Sequence, residues 1–121
     1  MLVRPSMFLT AVIVARAAAA ADDALSAALG AAREAIERNQ QMKSVCQKSL
    51  GAKLNALEDS LEDLQGRPTA PGVAHALDRI AAATALLEDK CPSMVVQVVG
   101  RSLDEIAAHL RVALRGGASR G

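Results

Sequence analysis

Apolar residues recur every three or four positions along most of the chain, which is the period of an α-helix and not of a β-strand. A leucine stripe precedes residue 65, and a second stripe after residue 72 repeats its steps of four and three. A third stripe follows a proline near residue 92. The three stripes are Leu50, Leu54, Leu57, Leu61 and Leu64; Val73, Leu77, Ile80, Thr84, Leu87 and Cys91; and Val95, Val99, Leu103, Ile106, Leu110 and Leu114. The pattern predicts an all-α fold.

Glycine and proline cluster in the chain interior only in segment 65–72, between the first two stripes. A short loop between two helices favours an antiparallel hairpin. Residues that face each other across such a hairpin have numbers with a nearly constant total. Leu64 and Val73 add to 137, and so do Leu57 and Ile80. The second helix is therefore expected to fold back along the first with these residues in register.

Both cysteines fit the same register, because the numbers of Cys46 and Cys91 also add to 137. Facing positions on an apolar stripe approach closely enough for a disulfide, which needs Cα atoms within about 7 Å. The alternative is a pair of buried free thiols, since cysteine is among the most buried residue types. The matched positions favour a Cys46–Cys91 disulfide that staples the hairpin.

The N-terminus has the pattern of a secretory signal peptide. Arg4 precedes a nine-residue apolar run at 7–15, and an alanine-rich segment places small residues at Ala19 and Ala21. A positive start, a short apolar core and an Ala-x-Ala step are typical of such signals, so residues 1–21 are predicted to be removed. The apolar run is too short to cross a bilayer, which needs about 20 residues. No membrane span is expected in the mature chain.

Export would place the protein in the periplasm or outside the cell, where paired cysteines usually form disulfides. A bond that closes about 45 residues stabilises a domain by roughly 4 kcal/mol in the chain-entropy model. The alternative is an alanine-rich helix over 7–36 in a cytosolic protein, which the charge of Arg16 favours. Ten arginines against four lysines, with abundant alanine, are typical of a GC-rich bacterial genome.

The remaining chain, residues 22–115, is predicted to form one helical domain, with a flexible tail at 116–121. Segment 91–93 contains a proline and predicts a kink or a corner. If the first helix breaks near Asn39, the chain forms a compact bundle of three to four helices. If it runs unbroken to Leu64, the later helices lie along it as an extended hairpin with exposed apolar stripes. We favour the compact bundle.

Composition excludes several classes of function. Phe8, the only aromatic residue, lies in the predicted signal. Base stacking and cation cages need aromatic side chains. Removing residues 1–21 takes away two arginines and leaves 12 basic against 13 acidic residues, a net charge of −1. A nucleic-acid binder usually carries a basic patch, so no nucleic-acid partner is expected.

Few residues are candidates for chemistry. His75 and His109 are equidistant in sequence from Pro92 and would lie level on adjacent helices if a corner forms there, where they could bind haem or a metal. They lie off the apolar stripes, and zinc prefers three or four ligands, so we expect neither a metal nor a cofactor. Neither cysteine has a histidine within one helical turn to activate it. The acidic residues of segment 58–63 are interpreted as a solvated helix face.

The sequence therefore predicts a small exported helical protein that binds another protein or itself and is not an enzyme. The alternative is a periplasmic carrier of a small apolar ligand, haem or a metal between its helices. A cytosolic helical adaptor without the disulfide is a third possibility.

Overall fold

The computed structural model describes residues 5–116, with side chains from residue 20 onward. These residues form four helices and no β-strand: α1 (Pro5–Met42), α2 (Gln47–Gly66), α3 (Ala70–Lys90) and α4 (Ser93–Arg115). The predicted all-α fold is confirmed. Residues 1–4 of the predicted signal peptide and residues 117–121 of the predicted tail lie outside the described part of the chain.

The four helices form a bundle in which each helix packs against two others. Neighbours in sequence pack together, and α1 closes the bundle against α4 through the most extensive interface of all. Three short connections, residues 43–46, 67–69 and 91–92, make sequential helices antiparallel. The compact bundle is therefore correct, and the extended hairpin is not what the chain forms.

The first helix breaks three residues later than the predicted position at Asn39. It ends at Met42, and Lys43 takes a backbone φ of 49°. This left-handed conformation cannot continue a right-handed helix. The polar residues that interrupt the apolar pattern thus mark the last turn of α1 and not the break itself.

The connection between α2 and α3 is shorter than segment 65–72, because both helices extend into it. The Gly72 N–H donates a hydrogen bond to Thr69 Oγ1 at 3.1 Å, which caps α3. A Cβ atom at Gly72 would lie 2.7 Å from Leu64 Cδ2 and 2.9 Å from Thr69 Oγ1, so a larger residue would require these side chains to shift. Pro92, in the third connection, makes segment 91–93 a corner between two separate helices.

The predicted stripes form most of the core, with two corrections on α3 and one on α4, where Ala113 is buried and Leu114 is exposed. The structure buries Ala76 and Ala83, whereas Leu77 and Thr84 are only partly buried. Counting steps of four and three finds the correct face of a helix but does not decide which of two adjacent residues is innermost. On α1 the buried residues are mostly alanines, which allow close helix packing; they are Ala21, Ala24, Ala28, Ala32 and Ala35.

Candidate binding surface at the disulfide-linked end

The predicted register brings Cys46 and Cys91 together, with their Cα atoms 5.3 Å apart and their sulfurs at bonding distance. Cys46 directly precedes α2, and Cys91 directly follows α3. The pair therefore joins the α1–α2 turn to the α3–α4 corner. We call this end of the bundle, formed by residues 43–48 and 90–94, the disulfide end.

The two most exposed large apolar side chains described by the structure both lie at the disulfide end. Val45 is 91% exposed and Met94 is 68% exposed. Val45 adjoins Cys46, and Met94 is three residues from Cys91. With about 3.8 Å between consecutive Cα atoms, their Cα atoms lie within about 20 Å of each other. Neither side chain contributes to the core, so the fold itself does not require them to be apolar.

An open groove of about 560 Å³ runs beside Val45, between the last turns of α1 and the first turns of α2. Its walls are mostly polar and include the side-chain amides of Asn39 and Gln47. Lys48 contributes a cation to the wall, and Gly51 leaves room opposite α1. We call this feature the Asn39 groove.

Asn39 is the unusual residue of this groove, because it is polar and only 2% exposed. Its Nδ2 donates a hydrogen bond to the carbonyl oxygen of Gln47 at 3.0 Å, which ties the end of α1 to the start of α2. Its Oδ1 is buried and has no hydrogen-bond partner among the described residues. Such an unsatisfied acceptor costs about 1–3 kcal/mol. The sequence marked this residue only as an interruption of the apolar pattern, and its burial was missed.

The segment that forms most of the Asn39 groove is positively charged. Residues 39–57 carry three lysines and no acidic residue. The lysines, Lys43, Lys48 and Lys53, are all exposed. The sequence has only one other lysine, Lys90, and it ends α3 at the same end of the bundle. All four lysines thus lie at or near the disulfide end, where Lys90 directly follows the exposed Glu88 and Asp89.

The acidic face of α2 contributes to helix packing as well as facing solvent. Arg33 on α1 donates from Nε to Glu58 at 3.1 Å and from Nη2 to Glu62 at 3.2 Å. The hydrogen bond to Glu58, followed by that to Glu62, raises the pKa of Arg33. Because the side chain of Arg33 is 57% exposed, these ion pairs add little to the stability of the fold. Their role is to favour one relative orientation of α1 and α2.

The two histidines lie on α3 and α4. His75 is exposed, and its Nε2 accepts a hydrogen bond from Arg79 Nε at 3.1 Å. His109 is partly buried. In the part of the chain that the structure describes, no group of three or more histidine, cysteine or acidic residues is arranged to hold a metal ion.

No protein-family model, curated protein or solved structure matches this chain. Within residues 5–116, no helix combines the length and hydrophobicity that crossing a membrane requires. Function therefore has to be inferred from the residues and their placement.

Proposed function

We propose that this protein is a small exported helical protein that acts by binding another protein or a second copy of itself, without catalysis. The observation that supports the proposal most is the exposure of Val45 and Met94 on either side of the disulfide. Large apolar side chains that are exposed at one end of a bundle favour an interface there. The disulfide holds the α1–α2 turn, which carries Val45, close to the start of α4, which carries Met94, and a fixed surface loses less entropy on binding.

The carrier alternative has less support. A carrier needs space between its helices, and ligand cavities are usually lined by apolar and aromatic side chains. The bundle interior is filled by leucine, valine, isoleucine and alanine side chains, most of them fully buried. The Asn39 groove is open and polar, and it lies at the rim of the α1–α2 pair and not in the core.

Helix length supports removal of residues 1–21. Intact α1 has 38 residues, whereas α2, α3 and α4 have 20, 21 and 23. A chain that begins at Asp22 would have a first helix of 21 residues (22–42), matching the other three. Its first turn would then carry Asp22 and Asp23, and acidic side chains stabilise a helix N-terminus.

Export makes a direct prediction about the mature protein. Protein purified from its native host should have an intact mass that corresponds to a start at Asp22, or within one or two residues of it. The same material should contain the disulfide, because the compartment is oxidising. Full-length chain recovered from the cytosol with reduced cysteines would contradict export.

Binding through the disulfide end predicts association that depends on its apolar residues. Sedimentation velocity at micromolar concentration should show a dimer, or a stable complex with a co-purified protein. The double variant Val45→Asp and Met94→Asp should abolish this association, because it buries two unpaired charges in the interface. Val112→Asp is the matched control, since Val112 is 40% exposed at the opposite end of α4. A protein that stays monomeric and captures no partner would count against the proposal.

A further inference from the structure

We propose that the Asn39 groove binds an acidic peptide segment of the partner, with a peptide N–H donating to Asn39 Oδ1. This inference rests on the proposed binding function and specifies the chemistry of its partner. It draws on three independent observations: the open groove, the buried acceptor without a donor, and the positive charge around both.

The groove has the size and chemistry of a peptide site. Its volume of about 560 Å³ lies within the 300–1,000 Å³ typical of ligand sites. The amide of Gln47 can pair with both the N–H and the C=O groups of an extended backbone, and Asn39 Oδ1 can accept from an N–H. Val45 and Ile36 supply apolar surface beside them. No aromatic ring lines the groove for stacking on a base or a sugar, so a peptide fits this lining better than either.

The unsatisfied acceptor indicates what the ligand must donate. Asn39 cannot exchange its two amide positions, because Nδ2 must remain the donor to the Gln47 carbonyl. Oδ1 is therefore fixed as an acceptor and needs an N–H or O–H group. Oδ1 is buried in the free protein, so a ligand that donates to it must displace side chains at the groove wall, where Gln40 and Lys48 are exposed. A peptide N–H is the donor that an extended segment presents at regular intervals.

Charge selects an acidic segment. Lys48 lines the groove and Lys43 lies in the adjoining turn, while the nearest acidic residue C-terminal to them, Glu58, pairs with Arg33. N-terminal to the groove, Glu34 pairs with Arg38, and Glu37 accepts a hydrogen bond from Gln41 at 3.5 Å. The nearby lysines thus have no acidic partner among the described residues. Complementary charge steers association and sets specificity.

The test is an NMR titration of the ¹⁵N-labelled, disulfide-intact mature chain with a blocked hexapeptide that alternates glutamate with valine. We expect chemical-shift changes at the Asn39 side-chain amide and at the backbone amides of Lys48 and Gly51. A matched peptide with lysine in place of glutamate should cause none. Added salt should weaken the binding, because the charges involved are exposed.

Two variants test whether the peptide binds in the Asn39 groove. Lys48→Glu replaces an attraction by a repulsion and should weaken the peptide affinity by about three- to tenfold. Lys53→Glu is the control, because Lys53 is exposed on the same helix but does not line the groove. Gly51→Ala should keep the fold, because the new Cβ would lie 3.5 Å from Asn39 Nδ2 in ordinary contact, and alanine favours helix. Its methyl group narrows the groove, so affinity should fall severalfold.

Three results would overturn the proposal: no shift at these residues with millimolar peptide, equal binding of the lysine peptide, or equal loss in Lys48→Glu and Lys53→Glu. Vesicles that contain phosphatidylglycerol are titrated in parallel. Binding of vesicles without any response to the peptide would assign the positive charge to a lipid surface instead. Sedimentation of the same samples separates the two proposals. A protein that associates through Val45 and Met94 but ignores the peptide would refute only the groove inference.

Discussion

Replacing Cys46 by alanine should lower the melting temperature by roughly ten degrees or more. Loss of a native disulfide from a small exported domain typically costs about 2–5 kcal/mol, and each kcal/mol shifts the midpoint of a domain this size by about 4–8 °C. The bond closes 45 residues of chain and holds α2 to α3 at the end away from their connection, where the hairpin would otherwise fray. Thermal unfolding followed by circular dichroism measures the change.

The variants of the second cysteine provide the control. Cys91→Ala removes the same bond, so its effect should match that of Cys46→Ala. The double variant should be no less stable than either single one, because there is only one bond to lose. Reduction of the unmodified protein should shift the transition in the same direction. Peptide mapping that finds both thiols free in protein from its native compartment would refute the disulfide and weaken the case for export.

Leu57→Ala should destabilise the bundle by about 2–5 kcal/mol, the range for truncating a buried leucine. Leu57 is fully buried on the apolar stripe of α2. Its truncation leaves a cavity that neighbouring leucines held by their own packing can fill only in part. Chemical denaturation with the disulfide intact measures the loss of stability as a lower midpoint at an unchanged slope.

Leu114→Ala is the matched control, because it removes the same atoms from a residue that is 43% exposed. It should cost less than about 1 kcal/mol, as substitutions near the surface usually do. Equal losses of stability in Leu57→Ala and Leu114→Ala would contradict the burial of Leu57 in the core.

The hairpin could be predicted because the apolar faces of its helices and their alignment both follow from residue spacing along the sequence. Stripe spacing fixes which face of each helix is apolar, and a short connection then fixes which residues face each other. Cys46 and Cys91 followed from that register without further assumptions, and the structure confirms it. Closure of the bundle could not be derived in this way. The interface of α1 with α4 joins the helices most distant in sequence. No short connection links these two helices, so sequence spacing does not predict which of their residues face each other.

The features of the binding surface were missed for a different reason. Asn39 is buried and Val45 is exposed, the reverse of what polarity predicts. Asn39 continues the buried spacing of Ala32 and Ala35 along α1, whereas Val45 lies in the turn that follows the left-handed Lys43. The pairing of Arg33 with the acidic face of α2 depends on the relative rotation of two helices, which apolar spacing determines only to within one residue. Sequence patterns therefore predict the residues of the core better than the residues at the ends and outer edges of the helices.

The position of the disulfide also bears on how fast the bundle can assemble. Folding rates fall as contacting residues become more distant along the chain. The α1–α4 interface is the most extensive in the bundle, and 50 residues lie between the end of α1 at Met42 and the start of α4 at Ser93. Once the disulfide has formed, the path between these points no longer passes through α2 and α3. It crosses the sulfur bridge and a few residues on either side. The most distant contact of the oxidised chain then becomes a local one, at a much smaller cost in loop-closure entropy.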